Sequence, residues 1–366
     1  MINKLILSNI LHRPIRTAVS ALAVAIEVAM VMLFVGLSHG LVNDSARRLE
    51  GVGADIMVQP ASSSFFFALS QAPMSMKYGD LLKNVPHVLA VAPVLINVNS
   101  VGGLNIIYGV DMPSFVRVSG GFAYHAGGPF VNPYDLLVDD LYAKANHVKV
   151  GQTVTLLNHQ FNVSGIVEHG KGARLFIPLQ TAEDLLQVQD KASIFFIKCT
   201  EPDYTDDVSD AIRHLLPNYK ILPVKEFMEL MTSNNMPFLN DFTAAYITIA
   251  VGIGFLVIFL AMYTTITERT REIGILKSLG ASKGYIIAVI LREAGLLSVV
   301  GIVAGCAMAA VVRKVVITYH PTLFIELTME WAVYAALLAL AGGMLGAFYP
   351  AMRAARLDPV DALAYE

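Results

Sequence analysis

Four runs of about 20 apolar residues limit what this chain can fold into: Thr17 to Leu37, Ala244 to Ile266, Ile287 to Val312 and Trp331 to Tyr349. Each is long enough to cross the hydrocarbon core of a bilayer as a helix, which takes roughly 20 residues. Composition agrees: 15% of the 366 residues are charged, where soluble domains carry about 25%. Between the first and second runs lies a polar tract of about 200 residues, enough for one or two folded subdomains. The first run exceeds the apolar core of a signal peptide and no small-residue cleavage site follows it, so a retained anchor is expected.

Lysine and arginine beside the runs set the orientation. Lys4, Arg13 and Arg16 precede the first run, Arg269, Arg271, Lys277 and Lys283 follow the second, and Arg353 and Arg356 close the fourth. With four crossings these groups share one side, which is the cytoplasm. Arg313 and Lys314 fall on the opposite side and run against this assignment. Both termini are therefore expected inside and the polar tract outside. Met1 to Arg13 puts Ile2, Leu5, Ile6 and Ile10 on one helical face, as in a helix lying in the membrane interface before Pro14. The net charge of −3 and the lack of a long basic run give no reason to expect a nucleic-acid partner. Cys199 and Cys306 fall in the polar tract and the third run, so no disulfide framework is implied.

The external tract mixes both periodicities. Alternating or β-branched runs predict strands at Asp55–Val58, Val88–Val98, Asn105–Val110, Thr153–Leu157, Phe161–Glu168, Leu175–Ile177 and Ser193–Lys198. Helical patterns fall at Lys77–Asn84, Thr181–Gln189, Tyr204–Leu215 and Val224–Met231. Leu156 to Phe161 reads as a hairpin turn, and Ala61 to Phe67 as an apolar loop. The fold class expected is an α-helical membrane protein with four transmembrane helices, one before and three after a large extracytoplasmic α+β domain. That domain has room for two lobes, divided near Gly127–Asn132. The segments are a cytoplasmic interfacial helix at 1–16, a first transmembrane helix at 17–40, the external domain at 41–223, a stalk at 224–241 broken at Pro237, and a membrane domain at 242–366.

Enzyme chemistry finds little footing. Gly165 to Lys171 fits the first seven positions of a phosphate-binding loop, but Gly172 stands where Ser or Thr would hold magnesium, and no helical pattern follows. A loop between two strands is the expected reading. Neither a His-Glu-x-x-His pair, nor a Gly-x-Ser-x-Gly elbow, nor a Cys/His cluster is present, so no metal and no catalysis is expected in this chain.

Other residues carry physical meaning. Glu27 lies mid-way along the first run, where a carboxylate costs at least about 2.5 kcal/mol. It either lines a substrate path, makes a contact at a helix interface, or is tolerated through helix tilt. Gly301-x-x-x-Gly305 and Gly342-x-x-x-Gly346 are small-residue patterns that let helix backbones approach closely in lipid. Arg292 and Glu293 open the third run and suit a structural role. Between the second and third runs, Glu268 to Ser282 forms a short charged helix ending at Gly280. Its Ile273, Ile275, Leu276 and Leu279 read as one apolar stripe, with Glu268, Arg271, Glu272 and Lys277 supplying charge. A helix that merely anchors the loop in the membrane surface would look similar.

Glu268-Arg-Thr-Arg-Glu-Ile-Gly-Ile-Leu-Lys-Ser-Leu-Gly-Ala-Ser282 resembles the coupling helix of the MacB/FtsX-like (type VII) ABC transporter permeases. Leu7 to Thr17 resembles that family's N-terminal helix, and Tyr349 to Leu363 its C-terminal end. The three motifs occur in the family's order. The resemblance implies a MacB-like periplasmic domain, an FtsX-like membrane domain, and a bacterial inner-membrane permease. It implies a permease without its own ATPase, paired with a second copy or a paralogue. A separate cytoplasmic ABC ATPase dimer would bind ATP and magnesium, leaving no cofactor in this chain. Glu268, Arg269, Arg271, Glu272, Ile273, Gly274, Lys277 and Gly280 would meet the ATPase, with Glu272 and Lys277 the best polar contacts. Motion would pass along the stalk to the external domain (mechanotransmission) and act on a lipid, lipoprotein or small hydrophobic molecule, with membrane lipid and a periplasmic adaptor as further partners. The alternative is a non-transporting FtsX-like signal transmitter that controls an external enzyme or sensor.

Overall fold

The structure is a computed structural model, and it describes residues 14–61, 74–99, 105–230, 237–359 and 362. The interfacial helix expected over Met1 to Arg13 and the apolar loop expected from Ala61 fall outside the described residues, apart from Ala61 itself and from Pro14 onward. The chain divides into two compact units. One holds Met1–Gly40, Pro237–Thr318 and Ile325–Glu366; the other holds Leu41–Met236 and Tyr319–Phe324.

Among the described residues, four helices are long and apolar enough to cross a membrane, and in the sequence the large α/β domain lies between the first and second of them. The first long helix runs Pro14–Gly51, the second Pro237–Glu268, the third Lys283–Tyr319 and the fourth Met329–Arg356. A 38-residue helix is about 57 Å long, well beyond the roughly 30 Å of a hydrocarbon core. The first helix therefore outruns its expected end at residue 40 by eleven residues. The expected stalk resolves into a helix at Val224–Leu230 and the start of the second long helix at Pro237. Proline suits that position because a first-turn residue has no helical partner for its N–H.

Among the described residues, the second unit is built on a ten-stranded sheet. Its strands are β1 (Ile56–Pro60), β3 (Val88–Asn99), β4 (Asn105–Val110), β5 (Tyr124–Gly127), β6 (Asp135–Asp139), β7 (Thr153–Leu156), β8 (His159–Val167), β9 (Leu175–Pro178), β11 (Ile194–Cys199) and β12 (Tyr219–Pro223). Between them, β2 (Met74–Ser75) and β10 (Lys191–Ala192) pair separately. The order across the sheet is β12-β1-β11-β3-β4-β9-β6-β8-β5, with β7 joined to β8. Pairs β4–β9 and β6–β8 are parallel and the others antiparallel. β8 alternates buried and exposed residues along most of its length, the period-two signature of a half-buried strand. Leu157 and Asn158 both take positive φ, 49° and 62°, so β7 and β8 meet in the two-residue turn that suits a hairpin's twist.

Among the described residues, two apolar clusters sit in this unit. One gathers Ile56, Leu82, Phe195, Ile197 and Ile212, the other Ile107, Leu136, Phe161, Leu175 and Ile177. The expected lobe boundary at Gly127–Asn132 is wrong. That stretch joins β5 to β6 inside the second cluster's half of the sheet, while β11 and β12 return from the chain's far end to complete the first. Strands β5 and β12, the short pair β2 and β10, β6 and two helices escape the sequence pattern. β6 is a three-residue apolar run between aspartates, and the helix Asp140–Asn146 follows directly. Those aspartates bind backbone: Asp135 accepts from the N–H groups of Val131 and Asn132 in the preceding loop at 2.7 and 2.8 Å, and Asp139 caps the helix by accepting from Tyr142 at 2.6 Å. A further helix, Met112–Ser119, is capped by Asp111 and stopped by Gly120 at φ 72°. The Gly165–Gly172 stretch is the end of β8 and the loop to β9, as expected for a loop between two strands.

Candidate functional site

The segment between the second and third long helices folds into a loop helix, Thr270–Ser278. Its end is fixed twice over. Gly280 takes φ 92°, its N–H bonds the carbonyl of Lys277 at 3.0 Å, and Ala281 bonds that of Leu276 at 3.0 Å. This is the paired pattern that closes a helix on a left-handed glycine. Two residues on, the Ser282 hydroxyl accepts from the Tyr285 N–H at 3.2 Å and starts the third helix. The chain thus turns a fixed corner between a short helix and a long one.

The loop helix has two faces that a single apolar stripe conceals. At about 100° per residue, Ile275 and Leu279 lie about 160° and 120° round from Ile273, with Leu276 between them and it, and Leu279 follows the last helical residue. Thr270, Ile273 and Gly274 are buried, and Leu276 packs partly into the apolar core of the helix bundle. Glu268, Arg271, Glu272, Ile275, Ser278, Leu279 and Gly280 are exposed. Leu279 keeps 79% of its surface open and Ile275 45%.

The inward face is fastened by two cations. Arg269 Nη1 donates to Glu293 Oε2 at 3.4 Å, and its Nε to Glu272 Oε2 at 2.7 Å. Glu293 is buried, and Arg292 beside it is exposed. Lys277 Nζ donates to the carbonyl of Ala355 at 3.0 Å and also to that of Leu357. These are carbonyls at the end of the fourth helix, which lack helical partners and carry its negative dipole end. Lys277, expected among the polar contacts to the ATPase, is half-buried here, and its ammonium caps the fourth helix. Ile273 and Gly274 likewise face inward, while Glu272 remains outward. At the same end of the bundle, Arg353 donates to the Tyr263 hydroxyl and lies 5.0 Å over its ring. Helical spacing separates Ile275 from Ile273, whereas the exposure of Leu279, three residues from the inward Leu276, follows from its place just past the helix end.

Within the bundle, Glu27 is 7% exposed and faces the second helix at Gly254. A Cβ at 254 would lie 1.7 Å from the Glu27 Oε2, so glycine leaves the notch that the carboxyl fills. No sequence pattern marked Gly254, because its partner lies 227 positions away. Gly301 and Gly305 lie against the first helix, where an added Cβ would come within 2.6 Å of Val24 and 2.7 Å of the Ala25 carbonyl. On the fourth helix a Cβ added at Gly346 would fall 2.7 Å from the Phe255 carbonyl oxygen. One at Gly342 would have more room, with Val251 at 3.4 Å. The tight neighbour is Gly343, where an added Cβ would fall 2.4 Å from Ser298 Oγ. Among the described residues, no group of three or more His, Cys, Asp or Glu side chains is placed to hold a metal.

The family model of the MacB-like periplasmic core domain matches residues 17–215, and that of the FtsX-like permease C-terminal region matches residues 244–359. The chain belongs to the MacB/FtsX-like ABC transporter permease family. The permease is 26% identical over 385 residues to the macrolide export ATP-binding/permease protein MacB of Nitrobacter winogradskyi, covering 96% of this chain and 58% of that relative. It is 27% identical over 388 residues to the pyoverdine export ATP-binding/permease protein PvdT of Pseudomonas aeruginosa, covering 95% and 56%. The permease thus spans less than two thirds of the length of either relative. Among solved structures, the periplasmic region of MacB from Actinobacillus actinomycetemcomitans aligns with a TM-score of 0.39 at 15% identity, over 50% of this chain and 96% of that one.

Proposed function

We propose that the permease is the membrane subunit that converts ATP-driven motion of cytoplasmic ABC ATPase domains into motion of its external domain, for export or handling of a lipid, a lipoprotein or a small hydrophobic molecule. The observation that carries this reading is the two-faced loop helix. One side is fastened to the third and fourth helices through Arg269 and Lys277, and the other offers Ile275 and Leu279 between Glu268, Arg271 and Glu272. An isolated apolar pair on a charged helix is the composition of an interface centre with its polar rim. A push there reaches two membrane helices at once through the buried contacts of the opposite face.

In this reading both termini and the loop helix face the cytoplasm, and the α/β domain lies outside. The ATPase domains act as a pair and hold the ATP and magnesium, so the permease is paired as well, with a copy of itself or a paralogue. The relatives' names, macrolide and pyoverdine export, support transport over a purely signalling role, and an external adaptor fits that arm. Purification of the full-length permease in mild detergent from its native membrane tests the reading. An ABC ATPase in stoichiometric amount is expected, and a complex without one overturns it.

A further inference from the structure

Arg174 closes the Gly-rich loop between β8 and β9. It is 6% exposed, yet it touches three chain segments remote from its own. Nη1 donates to Asp139 Oδ2 at 3.1 Å, at the end of β6. Nη2 donates to the carbonyl of Thr322 at 3.1 Å, in the loop joining the third and fourth long helices, and lies 3.5 Å from Asp44 Oδ2 in the first long helix. The ring of Phe324 lies 6.0 Å from its Cζ. Arg48, one turn beyond Asp44, donates to the same Oδ2 at 3.0 Å. The backbone joins in: the Asp139 N–H bonds the Arg174 carbonyl at 2.8 Å. All these residues belong to the second compact unit.

The surrounding loop supports the arrangement. Gly51, at the end of the first helix, lies so close to Gly170 that a Cβ would fall 1.9 Å from its carbonyl oxygen. Lys171 Nζ donates to the Ser119 carbonyl at 2.7 Å. The lysine that fits a phosphate-loop pattern is therefore engaged with backbone. Two cations and two carboxylates balance, with Arg174 and Asp139 buried and Asp44 and Arg48 partly so, as an ionised guanidinium requires if it is to leave water. An apolar residue could fill the same space. What the planar five-donor fork adds is simultaneous, directional attachment to several elements.

We propose that Arg174 is a positioning residue that joins the end of the first membrane helix and the loop between the third and fourth to strands β6 and β9. Displacement of either membrane segment is then delivered to the external sheet instead of being absorbed in the Gly170–Gly172 loop. The force it transmits rests on the function proposed above; the joint itself does not.

Hydrogen exchange on the full-length permease in lipid nanodiscs, without nucleotide, tests the joint. Arg174→Gln is expected to speed exchange roughly a hundredfold in residues 41–51, in β6 and β9 and in residues 319–324 together, leaving β1, β11 and β12 unchanged. Arg174→Lys, which keeps the charge but not the fork, recovers part of the protection. Adding Asp44→Asn to Arg174→Gln slows nothing and speeds little further, because both remove one linkage. Faster exchange confined to β9, or spread over the whole external unit, overturns the proposal. A second arm adds the co-purified ATPase with magnesium and ATP. Wild type is expected to change its β6 and β9 protection on nucleotide binding, and Arg174→Gln to keep ATPase docking and hydrolysis while losing that change. A wild-type permease that does not respond to ATP counts against the function proposed above, whereas a variant that still responds counts against the joint.

Discussion

Removing the outward apolar pair of the loop helix should weaken ATPase docking without weakening the fold. Fully burying a leucine or isoleucine side chain is worth about 1.5–3 kcal/mol. Leu279 is 79% and Ile275 45% exposed, so each has surface left for a partner to cover. Truncating both to alanine forfeits about 2 kcal/mol of docking energy, which is about a 30-fold loss of affinity. The assay titrates the ATPase onto detergent-purified permease carrying Ile275→Ala and Leu279→Ala, with thermal unfolding of the permease followed in parallel. Affinity should fall about 30-fold, with the unfolding temperature close to wild type. Lys277→Ala should do the reverse at first order. Its hydrogen bonds to the Ala355 and Leu357 carbonyls are internal and charge-assisted, and losing them costs about 1.5–3 kcal/mol of stability. A docking change below threefold in the double alanine variant, or an intact unfolding temperature in Lys277→Ala, would refute the assignment of faces.

Three further outcomes are expected. Gly254→Ala should lower the stability of the purified permease by about 1–3 kcal/mol, because its new methyl overlaps the Glu27 carboxyl, and Glu27→Ala in the same chain should restore most of the loss; equal destabilisation in both backgrounds would count against the notch. Gly280→Ala should cost about 1 kcal/mol, since φ 92° suits glycine and not alanine, and Gly280→Asn should cost less, both read from denaturant titrations. For Asp140, burial acts to raise its pKa, but hydrogen bonds from Lys144 and His169 outweigh it and hold the carboxyl at about 2. That value lies below the unfolded one, so its stabilising contribution is complete above about pH 4 and is lost as pH falls towards 2, amounting to about 1 kcal/mol after allowance for solvent screening; Asp140→Asn should flatten this part of the pH–stability curve, and an unchanged acid limb would exclude the pairing.

How legible the molecule was depends on distance along the chain. The four long helices follow from the length of their apolar runs, and the β7–β8 hairpin from a turn at Leu157–Asn158, both local signals. β6 was hidden because Asp135 and Asp139 look like solvent-facing loop residues until they are seen binding backbone N–H groups. The lobe boundary was misplaced because β11 and β12 rejoin strands from the other end of the domain, a pairing no local pattern encodes. The loop helix was recognisable as a unit, yet the role of Lys277 depends on carbonyls about 80 residues onward. Arg174 is the extreme case: its partners at Asp44 and Thr322 are separated from it by 130 and 148 positions.

Accessibility of the outward face tests the central claim most directly. With Cys199 and Cys306 replaced by serine, Leu279→Cys provides one thiol on the loop helix. A membrane-impermeant thiol reagent should label it in inside-out vesicles stripped of the ATPase and leave it untouched in intact spheroplasts, and restoring the ATPase should block the labelling. Labelling from the spheroplast exterior, or full labelling with the ATPase bound, would contradict the account.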